Sequence, residues 1–410
     1  MVEQSSSPAN GTTTGDAGVF IKRVVIENYK SIGYCDARLG PLTFLVGRNG
    51  SGKSNFLDAL RFAGDVLRTN LDQAIRARGS NEDLRFRGAA PGTPISLRFE
   101  LTLPHGQLGR YAFQLMPRTF GGYEVAEEEC TIEYPVTGHP ATGFHVRAGK
   151  LLGPNQGFLT AATDRLFLAV SAIPYVRPVY DVLTGMAFYQ PVPSRMRAPM
   201  PHDEGHILAP DGSNCGSVLL RLAAQQPEAL ERIVQYLQAI LPSLREVRGR
   251  AISDYDVLEF YQQDSPTDRP FPATSISDGT LHALAVLTAL FQNGFAVERT
   301  LTVIGVEEPE TALHPAATAV LRDAFREISG LSQVLVVTHS PDLLDDQNIV
   351  PESLLAVVQE NGETRIGPPR EGQQSIVRDH LATAGELLRT SNFRPTPASQ
   401  SGLEIAERPR

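Results

Sequence analysis

Short apolar runs alternate with amphipathic stretches along this chain. Leu42-Thr43-Phe44-Leu45-Val46 has the pattern of a buried strand, and from Lys53 to Arg68 the residues Phe56, Leu57, Leu60, Ala63, Val66 and Leu67 fall near one helical face. Val19 to Glu27, with Phe20, Ile21, Val24, Val25 and Ile26, predicts an opening strand. Ile95 to Leu103 alternates Leu97, Phe99 and Leu101 against Arg98, Glu100 and Thr102, a half-buried antiparallel strand that Tyr111 to Leu115 and Cys130 to Tyr134 extend into a sheet. Prolines recurring from Ala172 to Pro210 predict an irregular excursion. A helix opening at Pro227 carries the stripe Leu230, Ile233, Val234, Leu237, Ile240 and Leu241, a packing face that Pro242 ends. No heptad pattern is sustained, so no long coiled-coil arm is expected. Val257 to Tyr261 resumes strand character, and polar residues from Ser275 open an apolar helix that runs through Phe291. Leu301 to Glu307 and Gln333 to Thr338 read as buried strands joined by a helix over Ala316 to Ile328, a parallel β-α-β unit, and a last helix is predicted over Ser375 to Arg389.

Candidate chemistry sits where these runs end. Between the strand ending at Val46 and its helix stands Gly47-Arg48-Asn49-Gly50-Ser51-Gly52-Lys53-Ser54, a full match to the phosphate-binding pattern G-x-x-x-x-G-K-[ST], followed by Asn55. A chance match in a chain this long is on the order of one in a hundred. Glycines let backbone N–H groups close around phosphate oxygens and the helix N-terminus adds partial positive charge. Lys53 then reaches the β and γ phosphates and the Ser54 hydroxyl ligates Mg²⁺. Ser277, Asp278 and Gly279 form a second polar helix start, a weak anion-site signal by itself. Glu307 and Glu308 end a buried strand, where adjacent carboxylates are costly unless they serve a metal or a water. Glu307 is placed to orient Mg²⁺, and Glu308 to polarise an attacking water. His339 ends the next parallel strand.

Composition narrows the setting. At 410 residues the chain holds two lobes or one domain with a large insertion. No apolar run approaches the roughly 20 residues of a membrane span. Met1 to Gly18 lacks the marks of a signal peptide and reads as a flexible tail, as does the chain from Ser391. Cys35, Cys130 and Cys215 lack metal spacing and fit a reducing cytoplasm. A formal charge of −9 argues against a generally basic, nucleic-acid-coated surface. It leaves room for local grooves, with Arg76, Arg78, Arg85 and Arg87, Arg195 and Arg197, and Arg245, Arg248 and Arg250 as candidates, each more simply a solvated face.

Taken together, the phosphate loop, Ser277-Asp278-Gly279-Thr280, Glu307-Glu308-Pro309-Glu310 and His339, in that order, resemble the ABC-type ATPases of the RecF and SMC class, over roughly residues 19 to 385. The resemblance implies an α/β fold of P-loop NTPase head type, with a parallel core sheet, an antiparallel β lobe and a mixed helical insertion. It implies one head over 19–390, divided at 19–171, 172–250 and 251–390, between tails 1–18 and 391–410. By it, Gly47 to Ser54 is the Walker A loop, Ser277 to Thr280 the signature loop, Glu307 and Glu308 the Walker B acids, Leu313-His314-Pro315 the D-loop region and His339 the switch histidine. Glu307 stands where Asp is commoner, and Asp278 where many transporters have Gly. The Q-loop glutamine is unplaced, with Gln73 and Gln114 as candidates. The resemblance implies ATP and Mg²⁺ as cofactors, hydrolysis with Glu308 as base, and a homodimer burying two ATPs, with each signature loop touching the partner's γ-phosphate. The expected role is DNA repair or chromosome maintenance. The alternative is a sensor regulating a separately encoded effector in phage defence. A fused Toprim nuclease is disfavoured because little chain follows His339 and Asp345 and Asp346 alone make no metal site. A transporter subunit fits the motifs less well.

Overall fold

The computed structural model describes residues 20–119, 121–152, 160–263, 269–293, 301–390 and 393–396. Val19, the tail over 1–18 and most of 391–410 lie outside the described residues.

The core is a sheet whose strands run in the order Glu363–Gly367, Leu354–Glu360, Leu42–Val46, Gln333–Thr338, Val303–Glu307 and Met186–Tyr189. All are parallel except Glu363–Gly367, which pairs antiparallel at one edge. Near-continuous burial of Phe44 to Val46, Val303 to Glu307 and Gln333 to Thr338 follows from helices covering both faces. The helix Lys53–Arg68 buries every residue of its expected stripe, together with Ala59 and Phe62. The helix Asp278–Phe291 is buried on all sides from Gly279 onward. Each of its leucines, Leu281, Leu284, Leu287 and Leu290, contributes about 1.5–3 kcal/mol by leaving water.

A second sheet of seven strands is antiparallel, in the order Ile32–Arg38, Ile21–Tyr29, Ile95–Leu103, Gln107–Pro117, Tyr123–Glu133, Thr142–Arg147 and Lys150–Leu152. Fully buried Gln333 ties it to the core sheet. Its side chain accepts from Ile21 N at 3.0 Å and donates to Ile21 O at 2.8 Å and Gly40 O at 3.0 Å. The segment between the two halves of the core sheet supplies helices Cys215–Gln225 and Pro227–Ile240 and an antiparallel sheet built on Leu244–Ile252 and Tyr255–Gln262. Among the described residues the longest helix is Lys53–Arg68, at 16 residues, and none is long and apolar enough to cross a membrane.

The structure departs from the sequence reading in several places. The proline-rich stretch is not merely irregular, because it carries the helix Arg177–Thr184 and the core edge strand Met186–Tyr189 between its prolines. The last predicted helix is two, Glu371–Arg378 and Ala384–Arg389, interrupted where His380 takes a positive φ of 54°. Within the expected C-terminal tail, Phe393 is buried and Thr396 N donates to Pro368 O at 2.8 Å.

Candidate functional site

Parallel strands deliver their C-terminal ends to one edge of the sheet, and α/β proteins place their chemistry there. Leu45↔Val337 and Glu307↔Val337 are register pairs, so the phosphate loop, the acidic pair and His339 leave the sheet as neighbours.

The loop's backbone is set by glycine. Gly50 and Gly52 hold φ of 77° and 98°. A Cβ on Gly52 would stand 2.0 Å from Thr364 Oγ1, and one on Gly47 2.1 Å from Val357 O. Thr364 Oγ1 donates to Ser51 O at 3.0 Å and pairs with Ser31 Oγ at 2.7 Å, which accepts from Asn55 Nδ2 at 2.6 Å. Through its Nδ2, Asn55 anchors the start of the helix to the turn between the first two antiparallel strands. Lys53 is buried and its Nζ donates to Gly47 O at 2.7 Å and Arg48 O at 2.9 Å, folded back onto the loop's own carbonyls. Burial lowers its pKa, while the carboxylates of Glu308, Glu310 and Glu307 oppose that shift.

Ser54 Oγ donates to Glu307 Oε2 at 2.6 Å across 253 residues of sequence. Arg61 of the same helix lies 3.8 Å from Glu307 Oε1 and stacks over Phe188. The residues fit Mg-ATP. Ser51 Oγ is buried with no hydrogen-bond partner beside the cradle, and the cradle is closed to any Cβ at Gly47. The Ser54 and Glu307 oxygens form the sparse hard-donor set that suits Mg²⁺ when phosphates and waters complete the shell. Among the described residues no group of three or more His, Cys, Asp or Glu could hold a metal without such help.

Glu308 takes a positive φ of 47° and donates its N–H to Val337 O at 2.8 Å, which turns its side chain out of the strand direction. His339 Nδ1 lies 3.5 Å from Glu308 Oε1 and 3.8 Å from Glu310 Oε1. Behind them is His282, on the buried helix, where burial lowers its pKa. Its imidazole faces the carbonyl side of Pro191 and Glu308, but neither ring nitrogen closes a hydrogen bond of ordinary geometry.

Ser277 caps that helix, accepting from Thr280 N at 3.2 Å and pairing with Thr280 Oγ1 at 2.8 Å. Arg197 holds the loop from outside, 2.6 Å from Asp278 Oδ1 and donating to Ile276 O at 2.7 Å. Gly279 packs so closely that a Cβ would meet Ala312 O at 2.3 Å. Among the described residues no hydrogen bond or ion pair joins 277–279 to 47–55. The structure thus brings Ser54 to Glu307 and Glu308 to His339, and leaves Ser277, Asp278 and Gly279 in a separate cluster with the residues preceding His314. His314 itself caps the helix Pro315–Ser329.

Neither glutamine named from sequence reaches the site. Gln73 is exposed on the short helix Leu71–Arg76, and Gln114 pairs with Ser96 and Glu127 within the antiparallel sheet. Gln190 does stand at the same edge of the sheet. It follows the strand Met186–Tyr189, whose Tyr189 pairs with Val306. The apolar run Ala187-Phe188-Tyr189 was its sequence signal, masked by flanking prolines. Of the arginines considered for a groove, Arg78, Arg197, Arg248 and Arg250 are in ion pairs. Arg78 bonds Asp58 at 2.9 Å and Asp65 at 2.8 Å and is almost fully buried, and Arg250 bonds Glu259 at 2.9 Å. Asp345 and Asp346 are taken up by Arg389 and by Arg322 and Arg326.

Residues 42–131 and 200–345, more than half of the chain, match the family described as AAA domain, putative AbiEii toxin, Type IV TA system. Among solved structures, the SmcHead bound to the C-winged helix domain of ScpA is 13% identical, with a TM-score of 0.53 over 85% of this chain and 96% of that one. The Smc head domain with an extended coiled coil bound to the C-terminal domain of ScpA, derived from Pyrococcus furiosus, is 12% identical, with a TM-score of 0.53 over 88% and 99%. No curated protein matches the chain. At such identities the structures speak for the fold. The chain belongs to the AAA-domain family of that description, on the ABC-type ATPase head fold of the SMC proteins.

Proposed function

We propose that the chain hydrolyses ATP between two of its own copies. The observation that carries this reading is the bond of Ser54 Oγ to Glu307 Oε2 at 2.6 Å, which joins the phosphate loop to the acidic strand end with Glu308 next in sequence. In this mechanism the loop N–H groups and Lys53 bind the phosphates, Lys53 exchanging its contacts with Gly47 and Arg48 for phosphate oxygens. Ser54 and Glu307 would hold Mg²⁺, which would neutralise developing phosphate charge. Glu308, turned out by its positive φ, accepts the proton of the attacking water, and His339 beside it donates toward the γ-phosphate. Gln190 lies where it would orient water or metal at the same edge. Ser277, Asp278 and Gly279 lie in a cluster apart from the phosphate loop of their own copy, and a partner's γ-phosphate is the ligand they would meet. Three buried free thiols accord with a reducing cytoplasm.

For the output, chromosomal DNA is the first reading. The pairing of Arg78, Arg197 and Arg250 favours the second, a sensor that signals to a protein partner. The family's description as a toxin–antitoxin domain and the ScpA-bound state of the SMC heads point the same way. Steady-state hydrolysis decides both questions. Glu308→Gln should slow turnover at least about 100-fold. A variant as fast as the parent removes the mechanism. Stimulation of the parent by duplex or single-stranded DNA selects the first output, and its absence selects the second.

A further inference from the structure

Glu310 closes the acidic motif, and the mechanism above gives it no task. It follows Glu308 by two residues, with a side chain only 8% exposed. A carboxyl so buried needs partners, and all that it finds belong to the end of the neighbouring strand. Its Oε1 accepts from Thr338 Oγ1 at 2.6 Å and, at a long 3.4 Å, from His339 N. Thr338 Oγ1 in turn accepts from Ser340 N at 2.9 Å. One carboxyl oxygen therefore fixes a three-residue turn, and that turn aims His339 at Glu308. The other oxygen, Oε2, is buried without any partner. A residue kept only for packing would not leave such an atom unsatisfied, since that costs about 1–3 kcal/mol. Burial raises the Glu310 pKa, as expected of a carboxyl retained in an apolar place.

We propose that Glu310 is a positioning residue for hydrolysis, locking the loop that bears Glu308 to the turn that bears His339, so that the two groups hold one geometry. The lock acts through its acceptor oxygen and through Thr338. The catalytic part of this proposal rests on the hydrolytic reading above, whereas the lock itself does not.

The test uses Glu310→Leu, which removes the acceptor while keeping apolar bulk, Thr338→Val, which removes the donor and keeps the strand-favouring shape, and Glu310→Gln, which keeps one acceptor oxygen. Amide hydrogen exchange over 338–340 in the nucleotide-free protein should quicken at least tenfold in Glu310→Leu and in Thr338→Val, and the Gln variant should restore protection. In steady-state assays both disrupting variants should lose at least tenfold in kcat with KM for ATP within about twofold. The double variant should be no worse than either single variant, because both break the same bond, and the Gln variant should recover most of the loss. Unchanged exchange in Glu310→Leu and Thr338→Val overturns the lock. Faster exchange with unchanged kcat, or losses that add in the double variant, overturns the positioning role. If the parent chain does not hydrolyse ATP, the hydrolytic reading falls, and with it the catalytic part of this proposal, while the exchange measurement still decides the lock.

Discussion

Lys53 carries the clearest single-residue consequence. Burial lowers the pKa of its ammonium against the opposition of three carboxylates, and its present contacts are two loop carbonyls that a phosphate replaces with stronger, charge-assisted partners. Lys53→Ala should weaken ATP binding by about 100-fold in a folded protein, the worth of about 3 kcal/mol of charge-assisted hydrogen bonding. Calorimetric titration giving parental affinity would refute the loop's assignment. Far from the site, Glu128 makes a separate prediction about pH. It accepts from Tyr111 Oη at 2.9 Å, from Leu168 N at 2.9 Å and from Phe167 N, but burial prevails and pushes its pKa from 4.5 to about 7. The folded chain therefore keeps a proton that the unfolded chain has released. Stability from this group is complete below about pH 4.5 and falls as pH rises to about 7, by about 3 kcal/mol in all. Comparing urea midpoints of the parent and Glu128→Gln across that range should give a difference that narrows at low pH; a difference independent of pH refutes it.

At the scale of elements, the buried helix Asp278–Phe291 and the loop before Pro315 meet at one point. Gly279 lets the helix start lie against Ala312 O, at a distance no Cβ tolerates. Gly279→Ala must push the two apart, at a cost of about 1–3 kcal/mol for overpacking a closed contact. Denaturant unfolding should register that loss, and parental stability would mean that the contact is slack. Periodicity had marked this helix, the P-loop helix and the parallel strands, because each buries a face set by local spacing. It missed the strand Met186–Tyr189, whose four residues are too few to display a period and lie between proline-rich segments. It also ran Glu371–Arg378 and Ala384–Arg389 together, since the interruption at His380 leaves little trace in apolar spacing.

For the whole molecule, the proposed pairing predicts a change in mass. ATP that bridges Lys53 of one copy and Ser277 of another adds free energy only to the paired state, so mass action drives monomers to dimers. Glu308→Gln, unable to spend its nucleotide, should double its mass by light scattering when Mg-ATP is added, and Ser277→Arg on that background should abolish the doubling. No rise with ATP, or a double variant that still pairs, excludes a seam through the signature loop. By itself, the sequence determined the family of motifs, their order and the strands and helices that present them, because a phosphate loop and alternating buried runs are local patterns of residue type. Only the tertiary structure decided which distant side chains meet. Ser54 reaches Glu307 across 253 positions, Arg78 is spent on Asp58 and Asp65, Asn55 anchors to Ser31, and Glu310 grips Thr338. The physical reason is that hydrogen bonds and ion pairs act over a few ångströms of space, and separation along the chain does not encode that distance until the sheets have stacked their strands in register.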